Sequence, residues 1–116
     1  MRLQPQIHDG VCVLRLDGRF VTGSEAELAS AQDYLRENRV AKAVIDLSAV
    51  PYVDSTGLAF VVELHKSLHG RGGQLFLAGA NERVQEVLEI TRISELVPMF
   101  KDADEAQAAF RNEVLC

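Results

Sequence analysis

The side chains with the clearest chemical potential lie in one short polar segment, Asp54-Ser55-Thr56-Gly57. Asp and Ser are both favoured N-cap residues, so either Asp54 or Ser55 can begin the helix that the following residues predict. The Ser55 hydroxyl then lies near unpaired backbone N–H groups and the positive end of the helix dipole, which together accommodate a phosphate group well. The residues alone favour a polar loop that caps a helix, with a hydroxyl beside it at a place that tolerates a phosphate.

The two residues after Ser55 have alternatives of their own. Thr56 is a rival phosphoacceptor, but a hydroxyl in the first helical turn more often bonds to nearby backbone groups, so we expect it to support the turn. Gly57 permits close approach of another backbone, from a partner or a neighbouring strand, or simply provides packing room.

Several enzymatic chemistries lack the residues they need. A nucleophilic serine requires a base within hydrogen-bond reach, held by a third group, and nothing in the sequence supplies one near Ser55. The glycine-rich run at residues 70–73 is not a phosphate loop, because no Lys-Ser/Thr pair opens a helix after it. His65 and His69 have a spacing that can bind metal, but no third ligand is evident. We therefore expect no enzyme activity, no metal and no cofactor.

Two adjacent elements must position the polar segment. Ala43–Leu47 is a short apolar run with β-branched residues, which suits a central parallel strand covered on both faces. A loop at residues 48–53 follows, and then a helical pattern. The residues expected on its inner face are Leu58, Val61, Val62, His65 and Leu68.

The rest of the chain predicts an opening hairpin followed by alternating strands and helices, a pattern typical of parallel strands joined by crossovers. Ser24 with Glu27 forms a capping box for the first helix. The predicted strands are Leu3–Ile7, Val11–Leu16, Ala43–Leu47, Gln74–Ala78 and Met99–Phe100, and further helices begin near Asn81 and Asp102. The expected core includes Ile45, Leu47, Val61, Leu75 and Leu77.

Composition narrows the classes of partner. The 116 residues carry a net charge of -5, which argues against nucleic acid, because nucleic-acid binding needs a basic footprint. No apolar run is long enough to span a bilayer, and the N-terminus lacks a signal-peptide core. Cys12 lies in an apolar run and Cys116 is the last residue, so we expect neither a zinc site nor a disulfide. Without a disulfide we expect a cytoplasmic protein. For its oligomeric state we favour a monomer.

The run from Leu47 to Leu58, Leu-Ser-x-Val-x-Tyr-Val-Asp-Ser-Thr-Gly-Leu, with a strand before it and a helix after it, resembles the STAS domain. This is the fold of bacterial anti-sigma factor antagonists and of the cytosolic tails of sulfate transporters. The resemblance covers nearly the whole chain and is strongest from Lys42 to Phe110. It implies an α/β fold, a single STAS domain over residues 1–116 with a mixed, mostly parallel central sheet of four to five strands and about four helices.

The resemblance also implies a function. In the antagonist branch the serine that follows the aspartate is phosphorylated, and in this chain that serine is Ser55. The resemblance places the surface that binds the partner at Asp54, Ser55, Thr56, Gly57 and Leu58. The implied partners are an anti-sigma factor serine kinase, which holds the ATP, and a metal-dependent phosphoserine phosphatase. One position departs from the pattern: Val21 stands where these antagonists often have an Asp near the serine. That departure favours the alternative, a STAS scaffold subunit of a signalling or lipid-transport complex without a phosphorylation cycle.

Overall fold

A hairpin of two antiparallel strands begins the part of the chain that the computed structural model describes, residues 2–19, 23 and 25–115. Its strands are β1 (Arg2–His8) and β2 (Val11–Asp17), and the turn residues Asp9 and Gly10 both have positive φ. β1 forms one edge of the sheet, as predicted from Pro5, because a proline in a strand lacks the donor that a second neighbour would need.

Helices and strands alternate after the hairpin. In chain order they are α1 (Glu25–Glu37), β3 (Lys42–Ala49), α2 (Ser55–Gly70), β4 (Gln74–Ala78), α3 (Glu82–Ile90), α4 (Ile93–Leu96), β5 (Met99–Phe100) and α5 (Ala103–Leu115). The five strands form one sheet in the order β1-β2-β3-β4-β5, in which only β1 is antiparallel to its neighbour. The predicted mixed, mostly parallel sheet is therefore confirmed, and four of the five helices are substantial.

Strand β3 lies at the centre of the sheet and is buried on both faces, as its composition predicted. Ile45 is in register with Leu14 of β2 and with Leu77 of β4, and all three side chains are fully buried. This row forms part of the larger core, between one face of the sheet and helices α1 to α4. The five residues predicted to form the core, Ile45, Leu47, Val61, Leu75 and Leu77, are all buried.

A second, smaller core lies on the opposite face of the sheet, beneath α5. The ring of Phe76 on β4 stacks on that of Phe110 with 4.0 Å between centroids. The ring of Phe100 packs against Phe76 with 4.8 Å between centroids. Ala106 completes the contact from the helix. Because apolar side chains cover β3 and β4 from both sides, their near-continuous hydrophobic composition is explained.

The rotation of α2 about its axis differs from the prediction. The buried residues are Gly57, Phe60, Val61, Leu64 and Leu68. Of the predicted face, Val61 and Leu68 are buried, whereas Leu58, Val62 and His65 are half-buried. Leu58 and Val62 still pack against the larger core, so the prediction is confirmed in part. Both sets recur at the helical period, and packing against the sheet selects the face that carries the larger aromatic and leucine side chains. The predicted cap at Ser24, and Val21, lie outside the described residues.

Candidate functional site

The carboxylate of Asp54 caps the N-terminus of α2, which decides between the two predicted capping residues. Asp54 has extended backbone angles, and its Oδ1 accepts hydrogen bonds from the N–H groups of Thr56 at 2.9 Å and Gly57 at 3.3 Å. Its carbonyl accepts the first intrahelical bond, from Leu58 N at 3.0 Å. Asp54 thus satisfies backbone donors that a helix N-terminus otherwise leaves without intrahelical partners.

Ser55 is the first residue of α2 and is exposed. The predicted partner-binding residues surround it: Asp54, Thr56 and Leu58 are half-buried, whereas Gly57 is buried. As the residue next to the cap, Ser55 can change its side chain without removing the hydrogen bonds that Asp54 makes. The arrangement therefore presents a hydroxyl to solvent on a helix start that another residue holds in place.

Buried side chains and hydrogen bonds from Asn81 both hold the loop that leads into α2. Val50 and Val53 are buried, with 2% and 4% of their surface exposed, while Pro51 and Tyr52 between them are exposed. From the next loop of the sheet, Asn81 Nδ2 donates to the carbonyls of Val50 and Pro51, each at 3.4 Å. The same side chain accepts from Val84 N at 2.8 Å, so it also caps α3, as predicted. One amide thus ties together the loops at the carboxyl ends of β3 and β4.

An open groove of about 430 Å³ runs between α1 and α2 next to Ser55. Its walls combine apolar side chains with two carboxylates, Glu25 on α1 and Glu63 on α2. The described lining residues are Glu25, Leu28, Ala29, Gln32, Ser55, Thr56, Ala59, Phe60 and Glu63, and none of these is basic. A phosphate attached to Ser55 would therefore find carboxylates in this groove and no cation among its described lining residues.

Two residues near this surface were missed by sequence reasoning. The guanidinium carbon of Arg83, in the first turn of α3, lies 5.6 Å from the ring centroid of Tyr52. Tyr52 could have been suspected as an aromatic within the predicted loop at residues 48–53. Arg83 carries no such signal, because it lies 31 positions along the chain from Tyr52 and only the fold brings them together.

A buried carboxylate, also missed, stabilises the end of β3. Asp46 is 6% exposed, its Oδ1 accepts from Ser48 N at 3.0 Å, and its Oδ2 lies 3.6 Å from Arg15 Nε on β2. Gly79, with φ of +74°, passes so close that an added Cβ would lie 3.2 Å from Asp46 Oδ1 and 3.0 Å from Ser48 Cβ. This glycine meets two requirements at once, a left-handed backbone and space beside the strand end.

The remaining sequence candidates are not brought into this site. The rings of His65 and His69 stack with centroids 5.7 Å apart on the far half of α2. Among the described side chains, those of residues 2–19, 23 and 25–111, no three His, Cys, Asp or Glu are grouped so as to hold a metal ion. Cys12 is fully buried, and burial raises the pKa of its thiol to about 11. None of the helices in the described residues has the length and hydrophobicity needed to cross a membrane.

Comparison with known proteins finds similarity over nearly the whole chain. The family model for the STAS domain matches residues 2–106. The chain is 33% identical over 115 residues, 96% of each protein, to BtrV of Bordetella bronchiseptica, which is provisionally named an anti-sigma factor antagonist. It is 25% identical over 97 residues, 84% of this chain and 90% of the other, to the anti-sigma-B factor antagonist of Staphylococcus epidermidis. A crystal structure of a protein from Thermotoga maritima, again provisionally named an anti-sigma factor antagonist, superposes with a TM-score of 0.89 at 25% identity and covers 94% of each chain.

Proposed function

The chain belongs to the STAS domain family, with modest identity to its anti-sigma factor antagonists, and we propose that it binds an anti-sigma factor serine kinase until phosphorylation of Ser55 releases it. The observation that carries this proposal is the exposed Ser55 hydroxyl at the first position of α2, beside a cap that Asp54 supplies. The family is generally non-enzymatic, which agrees with a protein that receives a phosphate rather than transferring one.

The geometry at Ser55 suits a phosphoacceptor. Phosphoryl transfer needs the attacking oxygen roughly in line with the bond that breaks, so the acceptor hydroxyl must reach into another protein's nucleotide site. Ser55 is exposed and stands on a capped helix, so it can approach a kinase without local unfolding. The hydroxyl oxygen would attack the γ-phosphorus of the ATP that the kinase holds and pass its proton to a base of the kinase, while the bond from phosphorus to the bridging oxygen breaks with ADP as the leaving group.

The charge that arises at Ser55 accounts for release. A phosphoserine carries about -1.5 to -2 charges at neutral pH. Immediately after transfer it faces the ADP that remains in the kinase, so like charges lie close together in a contact that had formed around a neutral hydroxyl. A penalty of about 2.8 kcal/mol is enough to weaken binding a hundredfold.

The described lining of the groove next to Ser55 supplies no cation that would pair with that charge. The lining of the adjacent groove contributes Glu25 and Glu63, and its described residues include no Lys or Arg. An internal ion pair with a basic residue of this groove would otherwise absorb part of the effect. In the proposed cycle, the unphosphorylated chain binds the kinase so that the sigma factor is released, and a metal-dependent phosphatase later removes the phosphate to restore binding.

A binding experiment tests this proposal with three proteins. The dissociation constant for the anti-sigma serine kinase, loaded with ADP, is measured for wild type, Ser55→Ala and Ser55→Asp. We expect Ser55→Ala to bind about as tightly as wild type and Ser55→Asp at least about tenfold more weakly, because it carries a charge into the contact. Equal affinities for Ser55→Ala and Ser55→Asp would contradict a switch based on charge at this position.

The second candidate function is a STAS scaffold that uses the same surface without phosphorylation. The resemblance to the antagonists favours it through Val21, which stands at the position where the antagonist pattern often has an Asp. If the scaffold is correct, wild type binds its partner but accepts no phosphate from ATP. Val21→Asp then provides a direct comparison, since restored phosphorylation would show that the missing acid had been limiting.

A further inference from the structure

We infer that Tyr52 and Arg83 form a second recognition element beside Ser55, and that it fits a protein partner with an apolar pocket for the tyrosine ring and a carboxylate at the rim for the guanidinium. This inference rests on the proposed function and adds the chemistry by which the partner is recognised. It starts from two exposed side chains, one in the loop after β3 and the other in the first turn of α3, with the guanidinium carbon 5.6 Å from the ring centroid.

The backbone that carries Tyr52 is held in place before any partner binds. Its neighbours Val50 and Val53 are buried in the larger core. Asn81 holds the carbonyls of Val50 and Pro51 from the other loop. A ring presented from an anchored loop loses less conformational entropy on binding than one on a mobile segment, which favours its use as an anchor.

The location of Tyr52 separates it from the other exposed apolar residues. Among the described residues, the large hydrophobic side chains that are substantially exposed are Ile7 at 39%, Tyr52 at 40%, Ile90 at 74% and Leu96 at 52%. Tyr52 is the one of these four that lies in the loop leading to Ser55. A partner that places a nucleotide against Ser55 therefore passes close to this ring, and tyrosine is among the residues that most often dominate binding energy.

Arg83 gives the element its charge preference. It lies in the first turn of α3, where the positive end of the helix dipole disfavours a cation. Its contact with the face of the Tyr52 ring offsets part of that cost and orients the guanidinium at the surface. A carboxylate from a partner would complement it, in a chain whose overall charge of -5 otherwise repels acidic surfaces.

A nucleobase is the other kind of ligand that an aromatic ring with an adjacent arginine could bind. Binding of single-stranded nucleic acid combines several stacking side chains with a positively charged groove. Here the groove next to Ser55 is lined by carboxylates, and a single exposed ring is involved. Charge therefore favours a protein with an acidic rim over a nucleic acid.

The test uses the anti-sigma serine kinase loaded with a non-hydrolysable ATP analogue for binding, and with ATP for turnover. The variants are Tyr52→Ala, Arg83→Ala and the double mutant. The controls are Ile90→Ala, which removes a more exposed apolar side chain at the far end of α3, and Arg71→Ala, which removes an exposed cation after the far end of α2.

We expect Tyr52→Ala to weaken binding by about 30-fold, the size typical of an interface hot spot, and Arg83→Ala by about tenfold. The double mutant should lose less than the product of the two factors, because the side chains act on each other. In phosphate transfer, Tyr52→Ala should raise KM while kcat is kept, as expected for a docking contact that does not touch the reacting atoms. Both controls should bind like wild type.

Two failures are distinguishable. If wild type binds and is phosphorylated but Tyr52→Ala matches the Ile90→Ala control, this inference is wrong and the proposed function stands. If wild type itself neither binds the kinase nor takes up phosphate, the proposed function falls and this inference falls with it. Binding of a fluorescent oligothymidylate at physiological salt that is lost in Tyr52→Ala would also overturn the inference, in favour of a nucleic-acid partner.

Discussion

Removal of the carboxylate at position 54 should destabilise the protein more than removal of the neighbouring hydroxyl. Asp54 accepts from two backbone N–H groups, at 2.9 and 3.3 Å, whereas Ser55 is exposed and follows the cap. Loss of an N-cap costs about 0.5–2 kcal/mol, and two accepted bonds place Asp54→Ala in the upper half, at about 1.5 kcal/mol. For a domain of this size that corresponds to a fall in Tm of roughly 6 °C.

Matched variants separate the contribution of the Asp54 hydrogen bonds from that of its charge and from that of Ser55. Asp54→Asn retains an acceptor oxygen but loses the charge, so it should cost about 0.5 kcal/mol, the size of the interaction with the helix dipole. Ser55→Ala should change stability by less than about 0.5 kcal/mol, because alanine is a good helix former and the cap is intact. Asp33→Ala is the control for loss of a surface carboxylate: Asp33 pairs with Arg36 at 2.7 Å, but both side chains are exposed and the pair contributes little.

Urea unfolding followed by far-ultraviolet circular dichroism, at constant pH and salt, measures these differences as shifts in midpoint at unchanged m-value. If Ser55→Ala were as destabilising as Asp54→Ala, Ser55 would be part of the cap, and the assignment of the cap to Asp54 alone would be refuted. It would also be refuted if Asp54→Ala cost no more than Asp33→Ala.

Three further predictions concern the framework behind the site. Gly79→Ala should cost about 1–3 kcal/mol in thermal unfolding, because φ is +74° and the new Cβ would press on Ser48 at 3.0 Å; an unchanged Tm would contradict this. Phe110→Ala should cost about 3–5 kcal/mol by urea unfolding, since the ring is 1% exposed and stacks on a second phenylalanine at 4.0 Å; a cost below that of the surface control would show that α5 is not docked. Burial raises the pKa of the Cys12 thiol from 9.0 to about 11, so in a Cys116→Ser variant alkylation of Cys12 should be slow at neutral pH and fast in urea. Because the thiol of the unfolded chain ionises first, the free energy of unfolding should fall as pH rises from 9.0 to about 11. Rapid alkylation of the folded protein at neutral pH would contradict the burial.

The strands and caps could be predicted because each is specified by local chemistry. The apolar run Ala43–Leu47 requires cover on both faces, and the structure places it at the centre of the sheet. Asn81 and Asp102 precede their helices and accept from Val84 N and Glu105 N, each at 2.8 Å. In each case the decisive residues lie within a few positions of one another.

Features that depend on packing between distant residues could not be predicted from the local sequence. Apolar residues cover a wide arc of α2, so hydrophobicity left its rotation open, and Phe60 and Leu64 were missed from the buried face. The contact between Tyr52 and Arg83 and the ion pair between Arg15 and Asp46 each join residues about 30 positions apart, and only the sheet topology brings them together. Propensity could not choose between Asp54 and Ser55 as the cap, because both types cap helices well.

The most direct test of the account is phosphate transfer from ATP by the anti-sigma serine kinase, with the modified residue located by mass spectrometry. Wild type and the controls Ser55→Ala and Thr56→Ala are incubated with kinase and ATP under the same conditions. We expect close to one phosphate per chain on Ser55 in wild type and in Thr56→Ala, and none on Ser55→Ala. Phosphate on Ser55→Ala at the wild-type rate, or no phosphate on a wild-type chain that binds the kinase, would contradict it.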